Sequence, residues 1–364
     1  MKTRISTILI MSVMFGQFAG CSEDETQTTE QPVAVSDAID KGVDERADGA
    51  NSADASSADV RTADESESDT GQVDGGQATD AGVQDARIID DAMPDAGDMP
   101  VGSAGCGAGQ SPPSGVYQID VDGTMREYHI VIPENYDASR LHKLIFVFHG
   151  LGGTAEREVE RGFFGLLGQN DGSAIFVAGQ GLSQPSARDP NEPGPTGWSN
   201  RDGGDVNFIR VVLAKMRADY CIDNARVFST GWSFGGIMTN RLGCELKDEL
   251  RAIAPVMGQG PEIWSQMDCS RLRQTADCVD GQVAVWLSHG TEDTIVPYCT
   301  GERSRDFWQA QNGCAAQSTP IGENGCIEYD NCDQGYPVVW CQTDLSHLVP
   351  PFAGEEIWRF FSRF

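Results

Sequence analysis

Residues 106–364 predict an α/β fold: a mostly parallel sheet with helices on both faces. Three observations point to it. Short runs such as "KLIFVFHG" (143–150) and "AIFVAGQG" (174–181) are continuously apolar and stop at glycine, as strands buried on both faces do. Other stretches carry helical spacing; in 205–220 the apolar positions are Val206, Ile209, Val212, Leu213 and Met216. The two kinds of segment alternate along the chain, which is the order of successive strand–helix–strand units.

Taken in order, "VYQIDVDGTMREYHIVIP" (116–133) places Asp122-Gly123 between two β runs, a hairpin signal. The strands 143–150 and 174–181 follow, then the helix 205–220. "ARVFST" (225–230) reads as a strand and "GGIMTNRLGCEL" (235–246) as a helix. "AIAPVM" (252–257) and "VAVWLSHG" (283–290) are strands. "RSRDFWQAQNG" (303–313) is a helix closed by Gly313. "YPVVWCQ" (336–342) is the last strand and "GEEIWRFFSRF" (354–364) the closing helix. No internal repeat is visible.

The chain ahead of this domain is of another character. "MKTRISTILIMSVMFGQFAGC" (1–21) has a basic start, an apolar middle too short to span a bilayer, and small residues before Cys21. "FAGC" resembles the lipobox of bacterial lipoproteins, which implies a signal peptide at 1–20 and a lipidated Cys21 as the membrane anchor. By the same resemblance Ser22 favours the outer membrane or cell surface. Residues 22–105 hold 22 Asp and Glu against 4 Lys and Arg, a net charge of −18, and no Phe, Trp or Tyr. Such a segment cannot bury enough apolar surface to offset its ordering entropy. A tether over 21–105 is expected, spanning roughly 50 Å as a flexible coil. Its Asp residues follow no calcium-loop spacing.

The domain itself carries a net charge of −13, which argues against nucleic acid as a partner. No Walker A loop and no strand–GxGxxG–helix unit occurs, so no cofactor is expected. Ten cysteines besides Cys21 form an even set in an exported chain and read as disulfides of undetermined pairing. The absence of CxxC and the small number of histidines argue against a metal site.

"STGWSFGG" (229–236) is the stretch that carries chemistry. Ser233 falls between the strand 225–230 and the helix from 235, the setting of a nucleophile elbow, where glycines permit a tight turn that lifts the hydroxyl above the sheet. A serine hydroxyl needs a base to take its proton. In this arrangement the partners follow in the order acid, then histidine. Of the five histidines (129, 142, 149, 289 and 347), only His347 comes after both the acid-bearing loop and the last strand, in "TDLSHLVPP". The loop after strand 283–290 supplies Asp293, with Glu292 as the alternative acid. The oxyanion donors are expected at the backbone N–H of Phe234 and, after "HGLGG" (149–153), of Leu151, with Gly150 as the alternative. His149 is expected to support that loop. Trp198, Trp232 and Tyr298 are candidates for an aromatic pocket, each equally compatible with core packing.

"FVFHGLGG", "GWSNRDGGDVNFIRVVL", "RVFSTGWSFGG", "LRAIAPVMG", "HGTEDTIVPY" and "SHLVPP" resemble, in order and spacing, the feruloyl esterase and poly(3-hydroxybutyrate) depolymerase-like serine esterases. The resemblance covers about 143–361. It implies an α/β-hydrolase of the carbohydrate esterase 1 type with Ser233, Asp293 and His347 as triad. The cysteine-rich part, "WQAQNGC" to "CDQGYPVVWC", looks most like secreted feruloyl esterases. Two departures stand out. The Gly-Gly-His-x-Trp-Pro common near the last histidine of that group is here Leu345-Ser346-His347-Leu348-Val349-Pro350. The strand "IFVAGQG" lacks the usual Tyr-Pro pair. The implied substrates are feruloyl or acetyl esters of plant cell-wall polysaccharide. Polyhydroxyalkanoate cleavage and a non-catalytic adhesion lipoprotein are the alternatives.

Overall fold

The computed structural model describes residues 102–186, 189, 191–261 and 281–364. The expected signal peptide, the expected lipidation site Cys21 and nearly all of the expected tether lie outside these residues. A hairpin of β1 (Gly115–Val121) and β2 (Thr124–Val131) leads into β3 (His142–Phe148). Then come α1 (Ala155–Glu160), α2 (Leu166–Gln169) and β4 (Ala174–Gly179), followed by a small hairpin of β5 (Leu182–Pro185) and β6 (Pro193–Gly197). The centre of the chain gives α3 (Gly204–Asp219), β7 (Ile222–Trp232), α4 (Phe234–Glu245) and β8 (Ala252–Val256). The last part gives β9 (Ala284–Gly290), α5 (Tyr298–Gln311), β10 (Ser318–Ile321), β11 (Cys326–Tyr329), β12 (Val338–Thr343) and α6 (Ala353–Phe361).

Ten strands form one sheet in the order β1-β2-β4-β3-β7-β8-β9-β12-β11-β10. The six from β4 to β12 pair in parallel and the two strands at each edge are antiparallel. The β1–β2 turn falls at Asp122-Gly123, both with positive φ (52° and 82°), which suits the right-handed twist of paired strands.

The central strands read as continuous apolar runs because both faces are covered. In β3, Leu144, Phe146 and Phe148 enter the core beneath α3, α4 and α5, whereas Ile145 and Val147 enter the core beneath α1, α2 and α6. The closing helix contributes Ile357, Phe360 and Phe361 to the second core, and Phe361 stacks on Phe228 of β7 at 4.5 Å.

Disulfides hold the periphery. Cys106–Cys221 ties the start of the domain to the residue before β7, Cys326–Cys341 joins paired positions of β11 and β12, and Cys314–Cys332 closes the loop outside them. Cys244 and Cys299 are also disulfide-bonded. Ser103 lies in the same N-terminal patch: its N–H donates to Ile222 O at 2.9 Å and its Oγ to Tyr220 O at 2.5 Å. The disulfides belong to a protein that matures in an oxidising, extracytoplasmic compartment.

Candidate active site

Four parallel strands deliver the site at their C-terminal ends. β7 stops at Trp232, α4 starts at Phe234, and Ser233 between them has φ 58° and ψ −120°, a conformation that costs free energy and is imposed by the turn. The turn is possible because glycines line it. A Cβ on Gly235 would stand 2.0 Å from Phe148 O, and one on Gly231 would stand 2.4 Å from Gly235 O. Ser233 N–H donates to Val256 O at 2.9 Å, pinning the turn to β8.

The loop after β9 supplies the candidate acid. Asp293 is buried, and its Oδ1 accepts the backbone N–H groups of Ile295 and Val296, each at 2.9 Å. Oδ2 lies 2.6 Å from His347 Nδ1 and 3.4 Å from His289 Nε2. Burial alone would push this carboxyl upward. The bonds from His289, His347 and Val296 outweigh burial and hold it at about 2. An ionised carboxylate only accepts, so His347 carries its proton on Nδ1 and donates it to Asp293. His347 Nε2 is then an acceptor, 2.7 Å from Ser233 Oγ. The loop holding His347 is set by β9: Glu292 N–H donates to Leu345 O at 3.2 Å, and Gly290 packs so tightly that a Cβ there would meet Leu345 O at 2.0 Å. Glu292 itself is exposed.

The loop after β3 closes the other side. A Cβ on Gly150 would lie 3.4 Å from Ser233 Cβ, so Leu151 follows directly beside the serine; Phe234 opens α4 on its other flank. His149 Nε2 accepts Gly181 N–H at 3.0 Å, which places the ring proton on Nδ1, donating to Gly150 O at 2.7 Å. Burial lowers the pKa of this imidazole, consistent with a neutral brace for the loop.

The aromatic candidates separate. Trp232 stands against His347, ring centroids 5.1 Å apart. Trp198 is 3% exposed, and its Nε1 donates to His149 O at 2.9 Å. It lies in the core under the loop. Tyr298 hydrogen-bonds Gln342 Oε1 at 2.5 Å and faces His289 at 6.1 Å, on the far side of the acid. Sequence reasoning missed His289. Its Nε2–H is shared between Val296 O at 2.8 Å and Asp293 Oδ2 at 3.4 Å, and the only signal was its position four residues before the acid.

A serine on a strained strand–helix turn, a histidine on its hydroxyl and a buried carboxylate behind the histidine, on a mostly parallel sheet, define an α/β-hydrolase ester hydrolase. The chain is 31% identical over 288 residues to feruloyl esterase D of Neurospora crassa, covering 72% of this chain and 90% of that protein. It is likewise 31% identical over 274 residues to feruloyl esterase C of Emericella nidulans, covering 71% and 90%. The chain therefore belongs to the feruloyl esterase family, and it is a carboxylic ester hydrolase. No protein-family model matches it. The acetyl xylan esterase from Aspergillus awamori shares the fold, with a TM-score of 0.54 at 15% identity, over 68% of this chain and 99% of that one.

Proposed function

We propose that residues 106–364 form a serine esterase that releases feruloyl or acetyl groups from plant cell-wall polysaccharide. The observation that carries the chemistry is His347 lodged between Asp293 and Ser233 at 2.6 and 2.7 Å. Ser233 Oγ attacks the ester carbonyl carbon as its proton passes to His347 Nε2. The charge that develops on the carbonyl oxygen meets the N–H groups of Phe234 and Leu151. The intermediate collapses: the bond to the alcohol oxygen breaks, and His347 returns its proton to that oxygen. Water then repeats the sequence on the acyl-Ser233 ester and frees the carboxylic acid. Asp293 holds the Nδ1–H tautomer and stabilises the imidazolium without taking the proton.

The substrate class is supported by the feruloyl esterase relatives and by exposed apolar side chains close in sequence to the triad. Among the described residues, Leu151, Ile295 and Leu348 are exposed large apolar side chains: Leu151 lies in the loop after β3, Ile295 lies two residues beyond Asp293, and Leu348 adjoins His347. Exposed apolar side chains of this kind suit an aromatic acyl group. The domain is further proposed to be carried on the acidic tether 21–105 from a lipidated Cys21, which would hold it off the membrane surface.

The test is acid release by the oxidised full chain from methyl ferulate, acetylated xylan and a hydroxybutyrate oligomer, beside Ser233→Ala. Ferulate or acetate release that vanishes in the variant supports the reading. Release from hydroxybutyrate alone moves it to polyester cleavage, and no turnover of any ester rejects it.

A further inference from the structure

A cavity of about 530 Å³ opens beside the β5–β6 hairpin, away from the triad residues themselves. Its position relative to the chemistry can be followed bond by bond. Leu182 lines the cavity and pairs across the hairpin with Gly197. Gly197 in turn abuts the oxyanion side of the site: a Cβ there would meet the Phe234 ring at 2.4 Å and Leu151 Cδ1 at 3.2 Å. The preceding residue, Thr196, is bonded to the same loop; its carbonyl accepts Gly152 N–H at 2.8 Å and its Oγ1 donates to Gly153 O at 2.6 Å. One strand pair therefore separates the cavity from the place where an ester carbonyl would sit.

The lining is built for a polyol. Gln184, Asn191, Glu192 and Arg201 bring planar amide, carboxylate and guanidinium groups, and Leu182 and Pro193 add apolar surface. Sugars present hydroxyls at their edges and C–H groups on their faces, so planar polar groups beside apolar patches match them on both counts. Arg126 forms part of the wall. Its side chain is only 3% exposed, with Nη2 donating to Asp205 Oδ1 at 2.8 Å, its guanidinium 4.1 Å above the Phe208 ring, and Nε buried without a hydrogen-bond partner. A guanidinium fixed in this way offers pre-oriented donors. Asp205 and Glu192 balance Arg126 and Arg201, so the cavity has no excess of either charge, which favours a neutral sugar over an anion.

We propose that this cavity is a glycan subsite that holds the carbohydrate bearing the ester, with Asn191 and Arg201 contacting sugar hydroxyls at its rim and Arg126 fixing its wall. The proposal rests on the esterase reading above. Both rim residues are exposed, so replacing them leaves the fold intact.

The test compares the wild-type chain with Asn191→Ala/Arg201→Ala on two substrates: a feruloylated arabinoxylan oligosaccharide, and methyl ferulate, which has no sugar. The expected result is a KM for the oligosaccharide raised about five- to tenfold, the effect of roughly one lost hydrogen bond, with kcat unchanged and both constants for methyl ferulate unchanged. An unaltered KM for the oligosaccharide, or an equal loss on both substrates, would overturn the subsite. If the wild-type chain cleaves neither ester, the esterase reading fails on its own. The cavity is then judged by calorimetric titration of the Ser233→Ala chain with de-esterified arabinoxylan oligosaccharide. Binding lost on adding the two rim substitutions supports the subsite, and no binding rejects it.

Discussion

Asp293 uses both carboxylate oxygens inside the site, taking two backbone N–H groups on Oδ1 and His347 on Oδ2. Asn at this position keeps the shape but offers an N–H where an acceptor is needed, so the histidine tautomer is lost. Asp293→Asn should lower kcat for methyl ferulate about 10⁴-fold. The folded carboxyl sits at about 2 against an ordinary 3.8, so its contribution to stability is fully present above about pH 4 and is lost as pH falls toward 2. That contribution is about 2 kcal/mol, and acid unfolding of Asp293→Asn should lack this part of the slope. Glu158 has the opposite sign. It is buried in α1, its Oε2 has no hydrogen-bond partner, and burial pushes it up to about 7. Its contribution is fully present below about pH 4.5 and is lost as pH rises through 7. Glu158→Gln should therefore gain about 3 kcal/mol at pH 8 and little at pH 4.5 in urea denaturation. Equal changes at both pH values would contradict the assignment.

The elbow connects residue to element. Gly235→Ala puts a Cβ against Phe148 O, and neither backbone can move without disturbing β3 or α4. A loss of about 3 kcal/mol or more is expected, well beyond an ordinary helix substitution, and chemical denaturation measures it. Much of this architecture was legible in the sequence. Strands buried on both faces leave continuous apolar runs, and Ser233, Asp293 and His347 follow strands in chain order, so strand, turn and helix could be read together. Other elements left no such trace. α5 starts at Tyr298, five residues before the apolar pattern suggests, because its buried face is made largely of Thr300, Gly301 and Ser304. Gly301 is needed there: a Cβ would stand 2.3 Å from His289 Nδ1. β10 and β11 have four residues each, too few for a period to show. The burial of Trp198 and the approach of His289 to Asp293 depend on contacts between distant segments, which spacing along the chain does not encode.

At the scale of the molecule, the sheet fixes the site and the disulfides fix the sheet's borders. The even cysteine count was readable as disulfides, but the pairing depends on which strands end up adjacent. Cys106–Cys221 spans 115 residues and Cys326–Cys341 spans 15. In the chain-entropy view the longer loop restrains the unfolded state more, by about 4–5 kcal/mol against about 3. Removing the first pair by double Cys→Ser substitution should thus destabilise the domain more than removing the second; the reverse order would show that local packing of β11 on β12 dominates. Both bonds lie outside the site, so neither double variant should change kcat at temperatures where it stays folded.

The central claim is that Ser233 is a nucleophile made reactive by His347. The most direct measurement is the intact mass of the chain after treatment with an aryl phosphonate ester, with the adduct located by peptide mapping. One adduct on Ser233, formed at least a hundredfold more slowly in His347→Ala, is the predicted result, within the ~10²–10⁴-fold range of general-base assistance. No adduct on Ser233, or labelling at the same rate without His347, would contradict it.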